Sequence, residues 1–460
     1  MPQKQEDELL RRLVAICGEG NVMAAGPAIE EYGRDMADFE AEPALVVRPR
    51  SEQEVVEIIG LARESRLPVL PRGAGSSLTG AAVLKGAIVL DMRGMDRVIK
   101  VDTVNWYVRV QPGITLEELN KELRSSGFFF PPDPASSNIS TVGGAIAEGA
   151  GGLGCVRNGT VKDWVVALRA VLANGRVGQF GEPLAKNRAG YDLVHLFVGS
   201  EGTLGVITEA WLRIVPLQTA KTRRFLVTFD SWESTGDVIR KLRSSKVLPH
   251  IFEFLDRDNI RAINVKLQTG FEEAEATLLV DVEEGEVALA EGIFRDCGAT
   301  KVRLARDEDE AAAFYQARAV AYLALKDLAS GSQIGDVSVP IDRLGEYLHF
   351  VKGLASRYGV TIPVNGHAGD GNVHPMILYE KSDPKSMAVA SAAYEEMSRK
   401  AIEMGGSVTG EHGVGSQKTG VLREQLLAHD GEEALALMKE IKKVFDPDGI
   451  MNPGKYVDAA

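Results

Sequence analysis

Cysteine is the scarcest chemistry in this chain. Three occur in 460 residues, Cys17, Cys155 and Cys297, and none forms a Cys-x-x-C pair. Such scatter argues against a disulfide framework. It also argues against an iron–sulfur cluster within the chain, which takes four thiolates. Positive charge is short as well: 52 Lys and Arg stand against 65 Asp and Glu, a formal net charge of −13. A nucleic-acid binder would show a basic stripe, so that class is set aside. No apolar run is long enough to span a bilayer. The opening "MPQKQEDELLRRL" lacks the apolar core of a signal peptide. These absences predict a cytoplasmic protein; any attachment to the inner face of a membrane would be peripheral and through a partner. The length exceeds one ordinary core and predicts two or three domains.

Glycine, by contrast, is plentiful at 48 residues and clustered. "PRGAGSSLTGAA" (71–82), "STVGGAIAEGAGGLG" (140–154) and "GSEGTLGVITEA" (199–210) are the densest places in the first half. Glycine lets backbone N–H groups approach a ligand closely and form anion-binding nests, which suits a pyrophosphate. Tight turns are the alternative for any one of the three. The Rossmann fingerprint is absent, because Leu78 stands where its last glycine belongs. "GIMNPGKY" (449–456) nearly matches a P-loop, but Tyr456 replaces the Ser or Thr that holds magnesium and no helix follows. Around these loops the chain reads as α/β. "SEQEVVEIIGLARES" opens with a capping box at Ser51 and Glu54, and a second box stands at Thr115 and Glu118. Asn174-Gly175 joins two strand-like runs as a hairpin. After about residue 218, strands alternate with helices in a split β–α–β pattern.

Two later stretches concentrate ionisable groups. "GHAGDGNVHP" (366–375) carries His367 and His374, and "GEHGVG" (410–415) carries Glu411 and His412. So many glycines predict loops rather than helices. Two imidazoles and a carboxylate make a divalent-cation site with open positions for water or substrate. Ordinary hydrogen-bonded loop histidines are the other reading, and spacing alone leaves both standing.

Taken in order, "PVLPRGAGSSLTG", "PPDPASSNISTVGGAIA", "GSEGTLGVITEAWLRIVP", "NGHAGDGNVHP", "TGEHGVG" and "FDPDGIMNPGK" resemble the FAD-linked D-2-hydroxy-acid dehydrogenases of the vanillyl-alcohol-oxidase-type flavoprotein superfamily. The resemblance covers roughly residues 40–456. It implies an α+β fold. An FAD-binding domain of two α+β subdomains (1–218) would precede a ferredoxin-like antiparallel-sheet substrate domain carrying the metal site (219–420). A C-terminal segment (421–460) would return to the flavin half.

The resemblance also implies site residues. Arg72, Gly73, Ala74, Gly75, Ser76, Ser77 and Gly80 would wrap the FAD pyrophosphate. Pro132, Asp133, Ser140, Thr141, Gly143 and Gly144 would line flavin and pyrophosphate, with Gly202, Val206 and Ile207 beside the rings and Asn452 reaching back from the C-terminus. The first loop has no residue for a covalent flavin bond, so FAD would be non-covalent. His367, His374 and Glu411 would hold zinc, with manganese as the alternative, and His412 would be the base. Arg318 would clamp the substrate carboxylate, with Tyr322 and Asn372 beside it. Asp370 and Asn372 would orient the histidines.

The chain departs from the pattern of relatives acting on 2-hydroxyglutarate: Ile334 stands for a lysine, Met376 for an asparagine and Tyr322 for a threonine. An apolar wall cannot pair a second carboxylate, and burying one unpaired costs roughly several kcal/mol. D-Lactate is therefore the expected substrate, with glycolate next. D-2-Hydroxyglutarate is a further alternative, as is an FAD-binding electron-transfer subunit without substrate turnover. An alkyl-dihydroxyacetone-phosphate-synthase-like transferase or aryl-alcohol oxidase need not keep both histidines and the Glu-His pair, so the motifs disfavour those. Electrons would leave to an iron–sulfur subunit, an electron-transferring flavoprotein or a cytochrome. A homodimer is compatible with this reading.

Overall fold

Ser51 starts the first crossover helix, Glu52–Ser65, by accepting the Glu54 N–H on its hydroxyl. The Glu54 carboxylate takes the Arg50 N–H at 2.8 Å rather than that of Ser51, so the expected capping box is half made. The box at Thr115 is complete and opens Leu116–Arg124. In the computed structural model, residues 3–37, 39–217 and 221–456 are described. The chain divides into two units, Met1–Gly151 with Thr160–Leu217 and Glu411–Ala460, and Gly152–Gly159 with Gln218–Gly410. The expected boundary at 218/219 lies outside the described residues. Residues 411–420, expected with the substrate domain, group with the first unit.

The first unit holds two main sheets. One runs Val22–Met23, Leu45–Val47, Ile88–Asp91, Val69–Arg72, and its last three strands are parallel. Parallel neighbours need a crossover, and Glu52–Ser65 supplies it, burying Val55, Ile58, Ile59 and Ala62 completely. The second sheet is antiparallel, in the order Val98–Asp102, Tyr107–Val110, Val206–Arg213, Val165–Val171, Val177–Gly181. Its last two strands join at Asn174-Gly175, where Gly175 takes φ +77°. The C-terminal segment adds to the first sheet: Val69 N–H donates to Ile450 O at 2.7 Å and Asn452 N–H to Val69 O at 2.8 Å.

In the second unit, Lys301–Leu304, Thr222–Phe229, Ala276–Glu283 and Ile251–Asp256 pair antiparallel in that order. Helices Trp232–Ser244 and Val287–Asp296 make the crossovers. This is the ferredoxin-like arrangement, and it is extended by Val364–His367, Asn372–Tyr379 and Gly331–Ile334. Strand alternation assigns the two faces. Phe252, Phe254, Val364, Val373 and Ile377 enter a core with helices Leu344–Tyr358 and Pro384–Glu403. Ile251, Leu255 and Met376 enter a second cluster under helices Arg257–Leu267, Glu308–Ala319 and Ala321–Lys326. The fold is therefore α+β, as expected.

Candidate active site

Within the first unit a cleft runs between the loop after Val69–Arg72 and the start of helix Val142–Glu148. Its walls include Gly73, Thr141, Gly143, Gly144, Gly202 and Ile207. These walls are thin by construction. A Cβ on Gly73 would lie 2.2 Å from Thr141 Oγ1, and one on Gly143 2.5 Å from Pro112 Cβ. Val206 and Ile207 are neighbours on one strand and so face opposite ways. Val206 is in the core, and Ile207 lines the cleft.

The other residues singled out here behave differently. Arg72 borders the cleft, but its guanidinium donates to Ala82 O at 2.6 Å and Arg34 O at 2.8 Å, bracing the glycine loop. Gly75 takes φ +74°, with Ala74 before it, and Gly80 donates its N–H to Asp35 Oδ2 at 2.8 Å. Ser76 and Ser140 hydroxyls are 3.0 Å apart, and Ser77 and Thr79 hydroxyls 3.3 Å. Pro132 is buried and Asp133 half-buried in the segment after Phe128–Phe129. Asn452, fully buried, donates to Ala81 O at 3.0 Å and Glu201 O at 2.7 Å, while its Oδ1 has no hydrogen-bond partner among the described residues.

Within the second unit, the stretch read as a curling loop is a β-hairpin. Val364–His367 and Asn372–Tyr379 pair directly, with His367 opposite Asn372 and Asn365 opposite His374. That register puts His367, Asn372 and His374 on one face. The two imidazoles stand edge to face with centroids 5.2 Å apart, and both residues are buried. The glycines serve close packing and the tight turn. A Cβ on Gly366 would meet Asn372 O at 2.3 Å, one on Gly369 Val156 Cγ2 at 2.3 Å, and Gly371 takes φ +82°.

Two carboxylates that sequence reasoning passed over organise this face. Glu253, on Ile251–Asp256 and directly opposite His367, is fully buried. Its Oε1 accepts from His367 Nδ1 at 2.6 Å and its Oε2 from Arg318 Nε at 2.8 Å. Arg318 is thus a buried residue of helix Glu308–Ala319. Asp336 accepts from Asn372 Nδ2 at 2.8 Å, Thr409 Oγ1 at 2.7 Å and Gly410 N–H at 3.1 Å. Its Oδ1 lies 3.8 Å from His374 Nδ1. Asn372, expected beside substrate, therefore spends its amide N–H on Asp336 and Val337 O. Asp370 caps the turn by accepting the Asn372 N–H at 3.2 Å. Tyr322 packs on the second cluster, with Lys326 Nζ 5.8 Å from its ring centre. Ile334 and Met376 are directly opposed on neighbouring strands. The available signal was an acid set against apolar strand residues, Glu253 between phenylalanines in "HIFEFLD" and Asp336 at the head of "DVSVP".

Glu411 follows Gly410 and begins a turn fixed within the first unit. Val414 and Gly415 N–H groups donate to the two Glu201 oxygens at 2.6 and 2.8 Å, and Thr79 Oγ1 donates to His412 O at 3.4 Å. Burial pushes the Glu201 carboxyl up to about 7, against the pull of those N–H donors and of Lys455 and Lys418. Burial and the Glu201 charge hold Glu148 well above the carboxylate range.

Residues 218–456 match the family described as FAD linked oxidases, C-terminal domain, and residues 43–181 match the FAD binding domain. The chain belongs to the FAD-linked oxidases. Glycolate oxidase subunit GlcD of Bacillus subtilis is 34% identical over 97% of this chain and 96% of its own. D-Lactate dehydrogenase of Archaeoglobus fulgidus is 35% identical over 91% and 92% respectively. A probable mitochondrial D-lactate dehydrogenase of Danio rerio is 33% identical over 96% and 90%. Among solved structures, p-cresol methylhydroxylase matches with a TM-score of 0.81 at 18% identity over 99% of this chain and 98% of its own. That places this FAD-linked oxidase in the vanillyl-alcohol-oxidase-type fold. Among the described residues, no helix is long and apolar enough to cross a membrane.

The residues present fit both groups the resemblance implies. For FAD there is the glycine-walled cleft, where added side chains would collide. For a divalent cation there are two buried imidazoles on one face. With Nδ1 of His367 engaged by Glu253, coordination of a cation there would fall to Nε2.

Proposed function

We propose that this FAD-linked oxidase oxidises a D-2-hydroxy monocarboxylate, D-lactate before glycolate, to the 2-oxo acid. The observation that carries this reading is the second unit's sheet face, where His367, His374 and the Glu253-bound Arg318 are buried together. Its relatives' names support the substrate class. When bound, non-covalent FAD supplies the hydride acceptor and a divalent cation, zinc or manganese, supplies a Lewis acid. His367, His374 and Glu411 are the residues that would hold the cation, and the cleft loops those that would hold FAD. Arg318 binds the substrate carboxylate with the end of its guanidinium that Glu253 does not use. His412 takes the hydroxyl proton, since an imidazole titrates near neutrality. C2 then gives up its hydrogen with the bond pair, and the oxo acid results. The Ile334–Met376 pair supplies an apolar wall for the methyl of lactate and offers no cation to a second carboxylate. The electrons pass to a separate acceptor, an iron–sulfur subunit, an electron-transferring flavoprotein or a cytochrome.

The test is anaerobic. Flavin absorbance should bleach with D-lactate, more slowly with glycolate, and not with L-lactate or D-2-hydroxyglutarate. A chelator should abolish bleaching and zinc or manganese restore it. An oxidised spectrum with every hydroxy acid would refute the proposal. His412→Ala should keep FAD and metal yet slow flavin reduction by roughly two to four orders of magnitude.

A further inference from the structure

The alternation of Ile251–Asp256 calls for an apolar residue at 253. Ile251 and Leu255, its neighbours on the same face, are buried hydrophobics. A glutamate with no exposure stands there instead. Replacing a buried ion pair with apolar residues of similar volume is often neutral or stabilising. Stability alone is therefore a poor reason for this residue, and its two bonds suggest another. One oxygen is committed to His367 Nδ1 at 2.6 Å and the other to Arg318 Nε at 2.8 Å.

We propose that Glu253 is a positioning residue that sets the cation site and the carboxylate clamp as one unit. A carboxylate can only accept, so its bond to Nδ1 fixes the His367 tautomer and directs Nε2 to the cation. Its bond to Nε holds the Arg318 guanidinium edge-on and leaves the two terminal amino groups as the fork for substrate. The distance between cation and fork is then set by one side chain on a central strand. A 2-hydroxy acid presents its hydroxyl and its carboxylate on adjacent carbons, so a fixed separation matches that substrate class. The assignment rests on the function proposed above.

Glu253→Gln separates the two links. The amide oxygen can still accept from His367, but the amide N–H groups then face the Nε–H of Arg318, donor against donor. The variant should keep FAD, judged by visible absorbance. Its zinc affinity, measured by chelator competition on the metal-stripped flavoprotein, should change little, while KM for D-lactate rises on the order of tenfold or more. Glu253→Leu, apolar and able to pack, should lose roughly ten- to a hundredfold in zinc affinity as well. In an Arg318→Met background, adding Glu253→Gln should leave KM where Arg318→Met put it, which a merely structural role would not predict. Unchanged zinc affinity in Glu253→Leu, or a Glu253→Gln effect that persists in full without Arg318, would overturn the assignment. Wild-type protein that binds no zinc and leaves its flavin oxidised would overturn the function first, and this assignment with it. An active wild type with unaltered variants would overturn the assignment alone.

Discussion

The two units build their sites by opposite means. In the first, the cleft is shaped by what is missing: glycines whose Cβ would collide with Thr141 or Pro112, and an arginine that braces the loop through backbone carbonyls. In the second, the candidate site is made of side chains from a sheet and a neighbouring helix, with His367 and Arg318 held by buried Glu253 and Asn372 by buried Asp336. A site made of backbone tolerates no added bulk. A site made of side chains tolerates bulk changes around it but not the loss of a donor or acceptor.

That contrast can be broken most forcefully at the cleft. Gly144 lines it, and an added Cβ there meets only Thr141 Oγ1, at 3.2 Å. Gly144→Leu should fold yet purify without yellow colour, FAD affinity falling on the order of a hundredfold or more as the side chain fills the space, while zinc affinity stays. His374→Ala is the converse. Zinc affinity should fall on the order of a hundredfold or more, with the flavin spectrum intact and bleaching by D-lactate lost. If either variant loses both groups, the two sites are not separable. Arg318→Ala comes next: KM for D-lactate should rise roughly ten- to a hundredfold with FAD retained, and unchanged kinetics would remove it as the clamp. Ile334→Lys sharpens the comparison more gently. It places a cation opposite Met376, and the ratio of kcat/KM for D-2-hydroxyglutarate to that for D-lactate should rise about tenfold.

The smallest effect belongs to the buried acids of the first unit. Glu201 titrates at about 7 and Asp35 at about 6, both raised chiefly by burial. A carboxyl whose folded pKa lies above its unfolded one contributes stability that is complete below the unfolded value and lost as pH rises through the folded value. The melting temperature of the metal-free apoprotein should therefore fall as pH rises from about 4 to 7. Glu148→Gln, which removes a buried carboxyl held protonated in the fold but free to ionise in the unfolded chain, should make that fall shallower. A melting temperature that climbs across this interval would contradict the burial of these groups.

Most local structure was legible because its causes are local. Ser51, Thr115 and Asn174-Gly175 mark two helix starts and a hairpin with residues whose side chains or φ do the work in place. The cleft residues were legible only by resemblance, since a glycine that makes room looks like a glycine that makes a turn. The histidine hairpin was misread as a loop because, within 366–375, glycines outnumber strand formers. Part of what favours the strand is distant: Gly366 fits against Phe254 as well as Asn372 O, and the Phe254 contact lies in no short window of the sequence. Glu253 and Asp336 were missed for the complementary reason. A single acid in an apolar run announces a partner without naming it, and Arg318 lies 65 residues away along the chain.

The segment from Glu411 onward completes a sheet begun near the N-terminus, since Met451 bridges Val69 and the flanking backbone groups pair with it. Most of the second unit is one uninterrupted stretch between those two halves. On the ribosome, the inserted body can therefore gain its full set of strands while the outer body still waits for its closing piece. Termination between Gly410 and Met451 should leave a folded insert attached to an open, aggregation-prone first sheet. Limited proteolysis of ribosome-stalled chains would show that order of assembly.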